Sequence, residues 1–142
     1  MKLGHLRLPD GSPRLFAADG EGWVIVPDAV EGAPATLDEL VESDENWLPR
    51  IAAALAEGST PGMPEGPYAA PLSRPQTVLA IGLNYADHCR EFGAKEPESL
   101  IVFTKHRLSV VGDQEDVVWS TAVTDAVDWE AELGVIIGRE VS

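Results

Sequence analysis

The stretch Asp128-Trp129-Glu130-Ala131-Glu132-Leu133-Gly134-Val135-Ile136-Ile137-Gly138 reads as a β-strand, because its β-branched run suits an extended, pleated backbone. Alternate side chains of a strand point to opposite faces. Glu130 and Glu132 then share one face, while Leu133, Val135 and Ile137 take the other and supply the burial that would hold the strand in place. Two same-side carboxylates repel each other unless solvated or neutralised, and a hard divalent cation such as Mg²⁺ or Mn²⁺ is the usual neutraliser. Two readings stand on these residues alone: half of a metal site, or the solvated face of an edge strand, where carboxylates discourage aggregation.

Upstream, Gly82-Leu83-Asn84-Tyr85-Ala86-Asp87-His88-Cys89-Arg90-Glu91-Phe92 follows an apolar run, Thr77 to Ile81, that predicts a buried strand. The segment predicts a short helix from Asn84 to Phe92, stopped by Gly93. His88 and Glu91 are three apart and so meet on one helical face. A carboxylate beside an imidazole fixes its tautomer and raises its basicity, as a general base near neutral pH requires. The plainer reading of the same pair is an exposed helix histidine beside a carboxylate. Leu100 to Thr104 and Val117 to Trp119 predict further strands, with a Gly112-Asp113 turn between them. His5 and His106 have no comparable partner pattern and receive no role.

The first thirty residues alternate apolar positions with Gly, Pro and Asp punctuation, which predicts a β meander: Lys2 to Leu8, Arg14 to Ala18 and Trp23 to Val26. Thr36-Leu37-Asp38-Glu39 matches a capping box and predicts a helix through Val41. Trp47, Ile51 and Leu55 at spacing four predict a second helix ending at Gly58, with Pro49 in its first turn. Residues 58 to 76 are dense in Pro and Gly, which marks a linker. The expected organisation is a small N-terminal α+β domain over 1–60, a linker over 61–76, and a second domain over 77–142.

The chain has 142 residues, 44% hydrophobic and 24% charged, the balance of a globular protein. Its 24 acidic against 10 basic residues give a formal charge of −14, which opposes phosphate backbones and anionic lipid. Nucleic acid and membrane are therefore not expected partners. A single cysteine, Cys89, excludes an internal disulfide, and no secretory leader is evident at Met1-Lys2-Leu3-Gly4-His5. The expected location is cytoplasmic.

Taken together, Ile81-Gly82-Leu83-Asn84-Tyr85-Ala86-Asp87-His88, then Asp128-Trp129-Glu130-Ala131-Glu132-Leu133 and Ile136-Ile137-Gly138-Arg139, resemble the fumarylacetoacetate hydrolase family, particularly its smaller bacterial members. The resemblance is clear from about residue 75 to 142. It implies an α+β, mostly β, architecture in which the small N-terminal domain precedes a mixed β-roll, commonly a homodimer. It implies a Mg²⁺ or Mn²⁺ ion on Glu130, Glu132 and a further aspartate, with His88 and Glu91 as a catalytic dyad. Asn84 and Tyr85 would line the pocket mouth, and Lys105 falls where the family has a lysine before a closing loop. The implied reaction is hydrolysis, isomerisation or decarboxylation of small 2-oxo or 1,3-dicarbonyl acids through a metal-stabilised enolate.

The chain departs from the pattern in two places. The third carboxylate and a later catalytic lysine are expected beyond Ser142, so the roll and the metal site are expected to be incomplete. The loop Lys105-His106-Arg107-Leu108-Ser109 has His-Arg where members often show prolines. The alternative to an enzyme is an inactive fragment or interaction module that docks on a partner chain.

Overall fold

The computed structural model describes residues 1–73, 75 and 77–138; Arg74, Gln76 and residues 139–142, including the Arg139 of the family resemblance, lie outside the described set. β1 (Lys2–Arg7), β2 (Pro13–Ala18) and β3 (Gly22–Ile25) form the expected meander. Leu3 faces Ala17, His5 faces Leu15 and Phe16 faces Ile25 in the antiparallel register. Two short strands from the Pro/Gly-rich segment complete this sheet, β4 (Thr60–Pro61) beside β3 and β5 (Tyr68–Ala69) beside β1, giving the order β4-β3-β2-β1-β5. Their brevity suits edge positions, where proline costs no ladder bond and little unpaired backbone is displayed.

Three helices accompany the sheet: α1 (Val26–Ala29), α2 (Leu37–Glu42) and α3 (Leu48–Gly58). Thr36 caps α2 by accepting the Glu39 N–H at 3.2 Å, while Glu39 reaches back to the Ala35 N–H at 2.8 Å, one residue before the usual capping-box partner. α3 carries Pro49 in its first turn and buries Ile51 and Leu55. With Trp47, Leu15, Ala17, Val24 and Val26 they form the core. Each buried Leu, Ile or Val among them contributes about 1.5–3 kcal/mol by leaving water. The opposite face of β2 buries Phe16, whose ring meets Tyr68 at 5.7 Å between centroids. Gly4 stands across from Phe16, and a Cβ there would lie 2.8 Å from the ring, so glycine is what lets the ring lie over β1.

His5 is the buried polar residue of this region, 1% exposed. Its Nδ1–H donates to the Ala70 carbonyl at 2.9 Å, and its Nε2 accepts the Leu37 N–H at 2.6 Å. The imidazole thus satisfies an orphan amide at the start of α2 and ties β1 to the chain after β5. Nothing in the sequence pattern had marked His5, because a lone histidine in a strand gives no partner signal.

The chain divides into two units, Met1–Ser73 with Val111–Ser142 and Arg74–Val110. In the second, β6 (Val78–Gly82) and β7 (Ile101–Lys105) pair antiparallel, with Val78 opposite Lys105 and Gly82 opposite Ile101. α4 (Ala86–Glu91) follows β6, and a 3₁₀ turn, Arg107–Ser109, follows β7. The fold is α+β, with strand and helix nearly balanced.

Three expectations are corrected. β6 is not a buried strand: Leu79 is 63% exposed, because within its unit a two-stranded ribbon has no second layer over that face. Val117 to Trp119 forms no strand. Residues 128–138 carry no regular secondary structure, and Leu133, Val135 and Ile137 are exposed rather than buried. A strand exists through its ladder of backbone hydrogen bonds, and a β-branched run that is given no ladder stays irregular.

Candidate functional site

β6 ends at Gly82, where a Cβ would press to 3.3 Å on Ile101 of β7. The chain then turns through Leu83 at φ +52°, a left-handed conformation that costs an L-residue about 1–2 kcal/mol. The Cys89 thiol donates to the Leu83 carbonyl at 3.4 Å, from a side chain only 1% exposed. That contact pins the turn to the following helix. Asn84 and Tyr85 come next, with Tyr85 at the N-cap of α4, and the helix ends at Phe92 and Gly93, the latter at φ +63°.

On α4, His88 Nδ1 lies 3.9 Å from Glu91 Oε2, the one-turn spacing expected of the pair. The imidazole is about one-third exposed and the carboxylate mostly exposed, at 32% and 79%. The Phe92 ring meets the imidazole edge-on with centroids 4.7 Å apart, which fixes the ring plane from the other side. A gap of 3.9 Å is longer than a hydrogen bond; such pairs commonly tighten when substrate closes the site.

Beside this turn lies a cleft of about 330 Å³, walled by Leu83, Asn84 and Ala86 on one side and by Glu96, Glu98 and Ser99 on the other. That volume admits a small organic acid. Sequence reading named Asn84 but missed Glu96, Glu98 and Cys89. The Glu-Pro-Glu run between the Gly93 stop and β7 was a visible cue for a fixed acidic loop, whereas Cys89 carried no cue beyond its uniqueness.

Lys105 sits at the far end of β7, its ammonium 5.2 Å from the centroid of the Phe103 ring. Glu130 and Glu132 belong to the other unit, exposed on an irregular stretch. Their oxygens have the hard chemistry Mg²⁺ or Mn²⁺ requires, but six or so donors are needed. Among the described residues no three His, Cys, Asp or Glu side chains converge to hold a metal. The residues described therefore do not build a metal centre by themselves. Among them, too, no helix is long and apolar enough to cross a membrane.

An imidazole with a carboxylate one turn away has the parts of a proton-transfer site; it stands on the helix that follows the cleft-lining Asn84 and Ala86, while His88, Glu91 and Tyr85 themselves do not line the cleft. Residues 77–142 belong to the fumarylacetoacetate hydrolase family: they match the family described as Fumarylacetoacetate (FAA) hydrolase C-terminal. The chain is similar to the mitochondrial oxaloacetate tautomerase FAHD2A of Homo sapiens, 38% identical over 99% of this chain and 46% of that protein. The Bos taurus FAHD2A is 35% identical over 98% of this chain and 45% of that protein. A crystal structure of a Mycobacterium smegmatis protein provisionally named HpcE aligns with a TM-score of 0.55 and 28% identity, over 82% of this chain and 40% of that one. The chain thus spans about half the length of the curated relatives it matches.

Proposed function

We propose that this chain carries the proton-handling part of an enzyme that interconverts keto and enol forms of a small 2-oxo acid of the oxaloacetate type. The His88–Glu91 pair, on the helix that follows the cleft-lining Asn84 and Ala86, carries the reading. Oxaloacetate tautomerases among the relatives support that reaction over the hydrolysis or dienoate isomerisation that the family resemblance also allows.

In this reading Asn84 orients the acid in the cleft. His88 Nε2 takes a proton from the carbon next to the ketone, and the electron pair moves onto the carbonyl oxygen. The imidazolium, steadied by the Glu91 carboxylate at its Nδ1 side, then returns the proton to that oxygen, so nothing is gained or lost overall. Tyr85 guards the cleft mouth. Glu130 and Glu132 would supply two oxygens to a Mg²⁺ or Mn²⁺ ion once further donors complete its shell; when bound, such an ion stabilises enolates. A homodimer in the cytoplasm belongs to the same reading.

The test is the rate at which enol oxaloacetate loses its ultraviolet absorbance in water. The chain should accelerate this decay, His88→Gln should lower the acceleration by about 100-fold or more, and Glu91→Gln by less. A folded chain that leaves the buffer rate unchanged would sink the proposal.

A second reading, an interaction module, is favoured by the exposure of Val118, Trp129, Leu133 and Val135. Sedimentation of the chain as a monomer that binds no hydrophobic dye would count against it.

A further inference from the structure

The cleft beside the Leu83 turn has one wall built from the loop between α4 and β7, Glu96-Pro97-Glu98-Ser99. A proline fixes its own φ and restricts the residue before it, which biases Glu96-Pro97 towards extended backbone. Residues two apart on such a backbone project to the same side, and both glutamates do line this one cleft. Their carboxylates are placed there by a stiff stretch of chain.

Their charge is not offset. Among the described residues neither Glu96 nor Glu98 pairs with a cation or caps a backbone amide, whereas Glu45 and Glu115 pair with arginines and Glu39 accepts the Ala35 N–H. Among those residues, too, no lysine, arginine or histidine lines the cleft, and its other polar side chains, Asn84 and Ser99, are neutral. A cleft lined by charge of one sign focuses that field, and this one is negative on a chain whose formal charge is already −14. A dianionic acid is repelled at this wall. A neutral group carrying N–H or O–H donors instead meets carboxylate oxygens that accept.

We infer that Glu96 and Glu98 determine specificity at the cleft: they admit a small acid whose far end is uncharged and donates hydrogen bonds, an amide or a hydroxyl, and penalise one that ends in a second carboxylate. The inference rests on the reading that the cleft receives the acid. It narrows the substrate class, within the oxaloacetate type, to 2-oxo acids with an amide or hydroxyl at the far end.

Heteronuclear NMR of the full chain, titrated at constant ionic strength with succinate and separately with succinamate, its monoamide, tests it. The Asn84 and Ser99 amides should shift with both acids and saturate at about tenfold lower concentration with succinamate. Glu96→Gln/Glu98→Gln should abolish the preference by tightening succinate. Both side chains are exposed, and an unchanged spectrum elsewhere verifies folding. Added salt should tighten succinate on the wild-type chain but not on the double variant, because at 0.1 M exposed charges are screened beyond about 10 Å. Affinities that are equal or favour succinate, a preference that persists in the double variant, or no shift with either acid would overturn the inference. His88→Gln should leave the preference intact. A chain that shows the preference yet fails to hasten enol decay would sink the tautomerase reading alone.

Discussion

The stretch from Val117 to Ile137 is much richer in β-branched and aromatic residues than the meander with its helices, yet the meander is a packed sheet and the stretch is exposed and irregular. Composition alone would have favoured the stretch that stays irregular. Leu15 and Val24 lie on strands whose neighbours complete their ladders and whose inner face is covered by Ile51 and Leu55 of α3. Among the described residues, Val118 and Val135 lie in no strand and are mostly exposed. Strand propensity therefore acts as a permission that a partner must take up.

The sharpest way to break this contrast is truncation of one apolar side chain in each region. Ile51→Ala leaves a cavity under the sheet and should cost about 2–5 kcal/mol, enough to displace the urea midpoint markedly. Val135→Ala, at a side chain 73% exposed, should stay within about 0.5 kcal/mol. Equal effects would mean that residues 117–137 are packed in solution.

Next in size is His5. His5→Ala strands the Leu37 N–H and the Ala70 carbonyl, and should cost about 2–3 kcal/mol, with the fastest amide exchange appearing at the start of α2. Protection of Leu37 that survives the substitution would show that the imidazole is not its partner. Smaller again is Thr36→Ala, about 1 kcal/mol, because only the Thr36 cap on the Glu39 N–H is lost and Glu39 still holds Ala35.

These positions also mark what was legible beforehand. Local signals survived into the structure: the three strands of the meander, the Thr36 cap, Pro49 in the first turn of α3, the Trp47-Ile51-Leu55 stripe and the His88–Glu91 spacing. Each depends on residues within a turn or two of one another. What failed was non-local. Whether Val135 is buried depends on a neighbour that period-two alternation does not specify, and His5 acquires its role from Leu37 and Ala70, both remote in the chain. The cleft was half legible, since Asn84 announces itself in a motif while Glu96 and Glu98 are brought opposite it by the β6–β7 pairing.

The smallest expected effect concerns the strap at Gly112–Glu115, which is tied to the sheet. The Asp113 N–H donates to the Tyr68 carbonyl at 2.9 Å, and Glu115 accepts from the Gly112 N–H with one oxygen while pairing with Arg7 through the other. A Cβ on Gly112 would strike Arg7 and the Tyr68 carbonyl, so the strap lies close against β1 and β5. The Gly112 amide, and after it Arg7, hold the Glu115 carboxyl below its ordinary value of 4.5. A carboxyl whose folded value is depressed contributes stability above its unfolded value and loses it as pH falls through the folded one. The strap should therefore be intact at neutral pH and loosen only below about pH 4.5. Asp19, depressed by the Glu21 and then the Gly22 amides, weakens the β2–β3 turn over a similar acid range. Glu115→Gln separates the two: amide exchange at Gly112 and Asp113 should become fast already at neutral pH and insensitive to acid, while the Glu21 amide keeps its wild-type acid dependence. If both sites respond to the substitution alike, the strap and the sheet melt as one unit, and residues 111–115 belong with the packed half of the comparison rather than with the exposed stretch that follows them.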